Sequence, residues 1–350
     1  MRPRRLGWLV GASAALCGYG AAARPACLPQ GVSRPARAPA SERPAPAARS
    51  ARVSEYQLSL ARCWPSSGGG ELVGLRRLLI DGRLHHLVVD PVTLSTELVP
   101  ASRLRVESLG WPDLRRAFEE TSYMRAVARA EGRRAELQDA GIVHSLPAEQ
   151  GVVLTVDLCP SRRPLDRTLF AQLIDGFREV ERPVPVAISI TGVWMLEHPE
   201  DLRWLLERVD AGDLSVTWIN HSYHHAFDPR RPLRRDFLLM PGIDLEAEVL
   251  QTEVAMLEHA MQPSVFFRFP GLVSDESIFE RVISFGLVPT GSDAWLAKGQ
   301  PATPGSIVLI HGNGNEPAGV RDFLELMQRE RGRIRSHDWL LLDLRSSSSE

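Results

Sequence analysis

From residue 148 onward the chain alternates short β-branched apolar runs with amphipathic stretches at helical spacing, and this rhythm restricts the fold more than any other feature. Apolar runs occupy residues 152–156, 186–190, 214–219, 265–267, 307–310 and 339–342. Between them lie helical patterns over 165–177, 202–212, 250–261, 276–284 and 320–329. Leu202, Leu205, Leu206 and Val209, for example, fall at i, i+3, i+4 and i+7 before Gly212. Continuously apolar strands separated by helices imply a parallel sheet covered on its faces, with reactive groups gathered at the strand C-termini. The fold class expected is α/β, and a (β/α) barrel fits better than an open sheet.

The strand ends are where the runs stop being apolar. Residues 152–156 end in Asp157, and 214–219 end in Asn220-His221-Ser222-Tyr223-His224-His225. Residues 265–267 end in Arg268-Phe269-Pro270-Gly271, Ser292-Asp293-Ala294-Trp295 follows Val288, and 307–310 end in His311-Gly312-Asn313-Gly314-Asn315-Glu316. In a parallel barrel these ends converge on one mouth. The four-residue spacing of His221 and His225 lets two imidazoles reach one divalent metal. A zinc-protease helix would need Glu directly after the first His, where Ser222 stands. The glycines at 312, 314 and 319 do not have dinucleotide-loop spacing, and neither a nucleophile elbow nor a phosphate loop occurs.

Taken in order, Thr155-Val156-Asp157, residues 221–225, residues 268–271, Asp293-Ala294-Trp295 and Leu309-Ile310-His311 resemble the five motifs of the polysaccharide deacetylases, carbohydrate esterase family 4. The resemblance covers roughly residues 148–345. It implies a distorted (β/α) barrel that removes acetyl groups from a polysaccharide or peptidoglycan-type glycan with one divalent metal, zinc first and cobalt or nickel next. By resemblance Asp157 is the general base, His311 the general acid, and His221 and His225 the metal ligands. Arg268 orients Asp157 and Asp293 tunes His311. Trp295 and Leu309 wall the acetyl pocket, with Pro270 and Tyr223 further substrate contacts.

One position departs from the family pattern. The first motif ordinarily carries a second Asp as the third metal ligand, and here Thr155-Val156-Asp157 continues as Leu158-Cys159-Pro160. Leu158 cannot ligate. Water is the third ligand favoured from sequence, with Cys159 and Glu316 as alternatives, and Leu158→Asp is expected to tighten metal binding if that side chain points at the ion. Three functions stay open: a metal-dependent glycan deacetylase, a catalytically inactive glycan-binding homologue, and a hydrolase of another small amide or ester. Binding a sugar requires neither Asp157 nor His311, so their presence favours hydrolysis.

The first 147 residues supply no chemistry. Arg2, Arg4 and Arg5 precede a short apolar run and Ala21-Ala22-Ala23, the pattern of an export signal over residues 1–23, with periplasm, envelope or exterior as destination and no membrane span after cleavage. Residues 24–54 hold six Pro, eight Ala and six Arg in 31 positions, too few large apolar groups to offset ordering entropy, so a disordered or polyproline-like tether is expected. Residues 55–147 read as a small α+β appendage. A hairpin turns at Asp81-Gly82, and one long helix runs from Pro112 to about Asp139. Adjacent His85 and His86 would face opposite sides of a strand, so they are no ligand pair. Residues 148–345 are the catalytic domain. The chain carries a formal net charge of −2; residues 1–50 contribute +7, which leaves −9 for the rest and argues against nucleic acid as a partner. The expected partner is an acetylated glycan, and sequence leaves the oligomeric state open.

Overall fold

A computed structural model describes residues 52–147 and 150–348 of the 350-residue chain. The expected signal and nearly all of the expected tether lie outside the described residues. The chain begins with an antiparallel sheet of five strands: β1 (Val53–Pro65), β2 (Leu72–Ile80), β3 (Arg83–Val89), β4 (Thr96–Pro100) and β5 (Leu104–Ser108), in the order β4-β3-β2-β1-β5. The β2–β3 turn is the tight one expected. Ile80 pairs with Arg83, and Asp81 and Gly82 both take positive φ (49° and 76°), as a type I′ turn requires.

The long helix expected after Pro112 is instead two: α1 (Trp111–Ala117) and α2 (Ser122–Glu131). Thr121 causes the restart. Its hydroxyl donates to the Phe118 carbonyl and accepts from Met124 N, so it closes one helix and caps the next. Beyond α2 the chain is irregular up to residue 147.

The barrel then follows as β6 (Gly151–Leu158), α3 (Arg167–Phe177), β7 (Val184–Ile190), α4 (Gly192–Glu197), α5 (Pro199–Asp210), β8 (Leu214–Asn220), α6 (Leu245–Glu258), β9 (Pro263–Phe267), α7 (Glu276–Ser284), β10 (Val288–Pro289), β11 (Ala294–Trp295), β12 (Ile307–His311), α8 (Pro317–Arg335) and β13 (Leu340–Leu341). All strand pairs in this sheet are parallel, in the order β10-β9-β8-β7-β6-β12-β11, with β13 beside the start of β6. The two edge strands, β10 and β11, are joined by only residues 290–293. A link that short reaches at most about 18 Å, so the sheet must curl until its edges nearly meet. The result is a distorted (β/α) barrel, closed along one seam by the chain rather than by strand pairing.

The chain from the appendage crosses that seam. Ile142 bridges Thr290 and His144 bridges Ser306. Gly141 adopts φ 101°, and a Cβ there would collide with the Pro289 carbonyl, so only glycine fits this crossing.

Strand alternation sorts the buried side chains. Val152, Leu154, Val156 and Leu158 of β6 face the helices, in one apolar cluster with Phe170 and Phe323 of α3 and α8. Val153 belongs to a second cluster that also takes Phe266, Phe279 and the appendage residues Leu75, Tyr123 and Val127. Thr155 and Asp157 share its face of the strand and lead up to the mouth. The appendage therefore packs into the same core as the barrel. No helix among the described residues is long and apolar enough to cross a membrane.

Candidate active site

The loop after β8 carries the two expected metal-ligating histidines, and its shape is built by its neighbours. Asn220 donates from Nδ2 to the Val249 carbonyl of α6 and accepts from Ser222 N through Oδ1. Ser222 Oγ accepts from His225 N. Glu248, buried on α6, accepts from Tyr223 N and His224 N at 2.9 Å each and from His224 Nδ1 at 2.7 Å. Ser222 and His225 stand at φ 65° and 51°, a left-handed region that costs about 1–3 kcal/mol for a residue other than glycine. These bonds offset that strain and hold His225 folded back toward His221, with ring centroids 4.8 Å apart.

Cys159 completes the cluster. One donor atom each of Cys159, His221 and His225 lies within 4.8 Å of the others, and Sγ is 3.6 Å from His221 Nε2. His221 Nδ1 meets the Arg268 carbonyl at 2.9 Å. A carbonyl only accepts, so Nδ1 carries the proton and Nε2 presents its lone pair to the cluster. His225 Nε2 is buried with no hydrogen-bond partner. Burial alone would raise the Cys159 thiol, but His225 and His221 beside it hold it well below the ordinary value; the same sulfur lifts His225 against its own burial. The lone pair of His221 Nε2, the unpartnered Nε2 of His225 and the Cys159 sulfur are three donors of the kind that hold a divalent metal.

Sequence favoured water as the third ligand and raised Leu158 as the place to restore a carboxylate. The structure corrects this. Leu158 is fully buried among the helix-facing apolar residues, and the thiol of Cys159 is the side chain that meets the imidazoles. Strand alternation carried one residue past Leu158 puts Cys159 on the face of Thr155 and Asp157, the side that looks at the histidines.

Asp157 sits beside the cluster, its Oδ2 3.8 Å from His221 Nε2. Arg268, with no exposed surface, donates from Nη1 to Asp157 Oδ1 and to Thr155 Oγ1 at 2.8 Å each. Its Nη2 and Nε go to the carbonyls of Gly291 and Thr290. Burial would raise the Asp157 carboxyl, yet the charges of Arg268, His221 and His311 hold it below the usual carboxylate range.

His311 ends β12, opposite Asp157 in the parallel pairing of β12 with β6. Burial opposes its charge, but the Cys159 sulfur and the Glu316 carboxylate push it up to about 11, so the ring carries a proton at neutral pH. Glu316 Oε2 lies 2.9 Å from His311 Nδ1 as an ion pair, although Nδ1 has no aligned hydrogen-bond partner. The same oxygen accepts from Trp295 Nε1 at 2.7 Å. The carboxylate on His311 is thus Glu316, and not the Asp293 expected from sequence. Asp293 accepts from Ile307 N and pairs with His144 Nδ1 at 2.6 Å. Glu316 is likewise occupied here rather than serving as a ligand in the cluster.

Of the expected substrate contacts, Trp295 is half-buried, 6.0 Å from His311 between ring centroids, with Lys298 Nζ 3.3 Å above its ring. Leu309 is buried two residues before His311, on the same face of β12. Pro270 is buried at the start of the turn after Arg268, and the Tyr223 ring packs on Gly192. Sequence reading missed Asn220 and Glu248 as the builders of the histidine loop, and His144 as the partner of Asp293. No local pattern marks them, because the partners that fix those roles stand 24 to 149 residues away.

No protein-family model matches the chain. Among solved structures it is similar to a family 4 carbohydrate esterase from Bacillus anthracis, with 15% identity, 63% of this chain and 89% of that chain covered, and a TM-score of 0.43. It is similar to a family 4 carbohydrate esterase from Streptomyces lividans in complex with acetate, at 16% identity, 55% and 91% coverage and a TM-score of 0.38. A pseudoenzyme of that family from Bacillus anthracis gives 16% identity, 61% and 70% coverage and a TM-score of 0.41. The chemistry of the site rests on the residues described above and not on these likenesses.

Proposed function

We propose that this chain is a metal-dependent hydrolase that removes acetyl groups from an acetylated polysaccharide or peptidoglycan-type glycan, outside the cytoplasm. One observation carries the reading: the donor atoms of Cys159, His221 and His225 cluster within 4.8 Å at the strand ends that also hold Asp157 and His311. A divalent metal held by these three would polarise the acetyl carbonyl and acidify the attacking water. The protein's own groups then divide the proton transfers. Arg268 occupies Asp157 Oδ1 and leaves Oδ2 to accept the proton of the water. His311, charged at neutral pH, gives its proton to the departing sugar nitrogen or oxygen, while Glu316 holds the other side of the ring. Trp295 and Tyr223 contact the acetylated sugar, while Leu309 and Pro270, both buried, back the wall of the acetyl pocket.

A second reading, a glycan-binding protein without catalysis, is favoured by Leu158, which puts an apolar side chain where the family pattern has a carboxylate. Acetate release from a panel of acetylated glycans, with and without chelator and with added zinc or cobalt, decides between them. Release that stops with chelator and returns with zinc supports the hydrolase. Glycan binding with no release under any metal supports the binding protein. Release that ignores chelator but stops on alkylation of Cys159 overturns the metal in favour of a thiol nucleophile.

A further inference from the structure

The loop that carries the histidines continues into a stretch the proposed hydrolysis does not use. Phe227 is 58% exposed, yet it is not loose: it stacks on Phe237 with centroids 5.1 Å apart and planes at 23°. Phe237 in turn meets His225 edge-on at 5.6 Å. Gly271, after Arg268, lets that ring lie against the backbone, where any Cβ would strike it. An exposed aromatic face is therefore fixed one ring away from the Cys159–His221–His225 cluster.

The same stretch is strongly cationic. Arg230, Arg231, Arg234 and Arg235 are all exposed, and Asp228 is the one carboxylate between residues 226 and 235. Asp228 is shared by Arg230 and Arg231. Among the described residues no carboxylate lies within ion-pair reach of Arg234 or Arg235. Residues 51–350 as a whole carry −9, so this local cation excess runs against the body of the protein.

We infer that residues 227–235 form a subsite for an anionic glycan, with Phe227 stacking on the apolar face of a sugar ring and Arg234 and Arg235 taking its carboxylate or phosphate groups. A fixed aromatic plate suits the C–H face of a pyranose, and guanidinium forks match planar or tetrahedral oxyanions. The inference rests on the proposed function for its location, and it narrows the substrate from acetylated glycans in general to charged ones.

The test measures binding, so it does not depend on turnover. The full chain is titrated with N-acetylated chitooligosaccharide, an acetylated polyuronate and an acetylated phosphate-bearing polysaccharide. A fourth arm uses vesicles of equal phosphatidylglycerol and phosphatidylcholine. The polyuronate or the phosphate polymer should bind about tenfold tighter than the neutral oligosaccharide, with the preference fading as salt rises. Which of the two binds identifies the oxyanion. The double variant Arg234→Ala/Arg235→Ala should remove the charged-over-neutral preference. Phe227→Ala should weaken every glycan, and Phe227→Trp should restore binding. Equal affinity of wild type for neutral and charged glycans, or a preference that survives the double arginine variant, overturns the inference. Tighter binding to the vesicles overturns it in favour of a membrane surface. Charged-glycan preference without any acetate release would leave this subsite standing and sink the hydrolase; acetate release without that preference would do the reverse.

Discussion

Two buried arginine–carboxylate pairs hold this molecule together, and they are built differently. Arg76 of β2 and Glu253 of α6 join the appendage to the barrel, with side chains 0% and 2% exposed. Arg76 Nε and Nη2 engage both oxygens of Glu253, Nη1 reaches the carbonyls of Leu75 and Phe285, and Tyr56 adds its hydroxyl to Oε2. Every strong acceptor there is occupied. Arg268 is as deeply buried, but it gives Asp157 one hydrogen bond, to Oδ1, and sends its remaining donors to Thr155, Thr290 and Gly291. Asp157 Oδ2 is left toward the histidines. A pair closed on itself supports the fold, whereas one left half open retains an oxygen that can take up a proton.

The sharpest way to break this contrast is Asp157→Asn. The amide still accepts from Arg268, so the fold should survive while acetate release falls by about 10²–10⁴-fold. Unchanged turnover with an unchanged melting curve would remove Asp157 from the chemistry. On the other pair the effect should appear in stability. Arg76→Ala leaves Glu253 buried without its partner and should cost about 3–5 kcal/mol in denaturant unfolding. The double variant Arg76→Met/Glu253→Leu should recover most of that loss, as an apolar pair of similar volume does, whereas no apolar pair at 157 and 268 should recover turnover.

Leu158→Asp sharpens the comparison from a third side. The carboxylate would enter the helix-facing apolar cluster with no partner, so about 2–4 kcal/mol of stability should be lost and zinc affinity should not rise. Cys159→Ser should weaken zinc binding with the fold retained, read by metal content after dialysis; undiminished zinc would take Cys159 out of the ligand set. The smallest effect belongs to Tyr56→Phe. It removes one hydrogen bond from a network otherwise intact and should cost about 1 kcal/mol.

Much of the barrel was legible because its strands and helices obey separate periods. Residues 276–284 read as a helix and α7 spans Glu276–Ser284, capped by the Asp275 side chain. The appendage was less readable. β1 is thirteen residues long, but register shifts between Ser54 and Gln57 and between Leu58 and Ala61 break its alternation, so it carries no clean two-residue period. Strands β4 and β5 are five residues each, and of these ten residues only Val99 is buried, too little for a pattern to emerge.

The sequence by itself determined the parallel sheet, the polar strand ends and the set of groups that meet at them, since each depends on residues close together along the chain. It could not determine which of those groups touch. Asp293 and Glu316 both lie near His311 in sequence, and only the folded chain turns Glu316 onto the imidazole and Asp293 onto His144, a residue from the seam crossing. Nor could it choose between Leu158 and Cys159 for the third place around the histidines. That choice depends on which face of β6 looks at the loop after β8: alternation commits Leu158 to the helix side with Val156 and returns Cys159 to the side of Thr155 and Asp157, where the thiol meets the imidazoles.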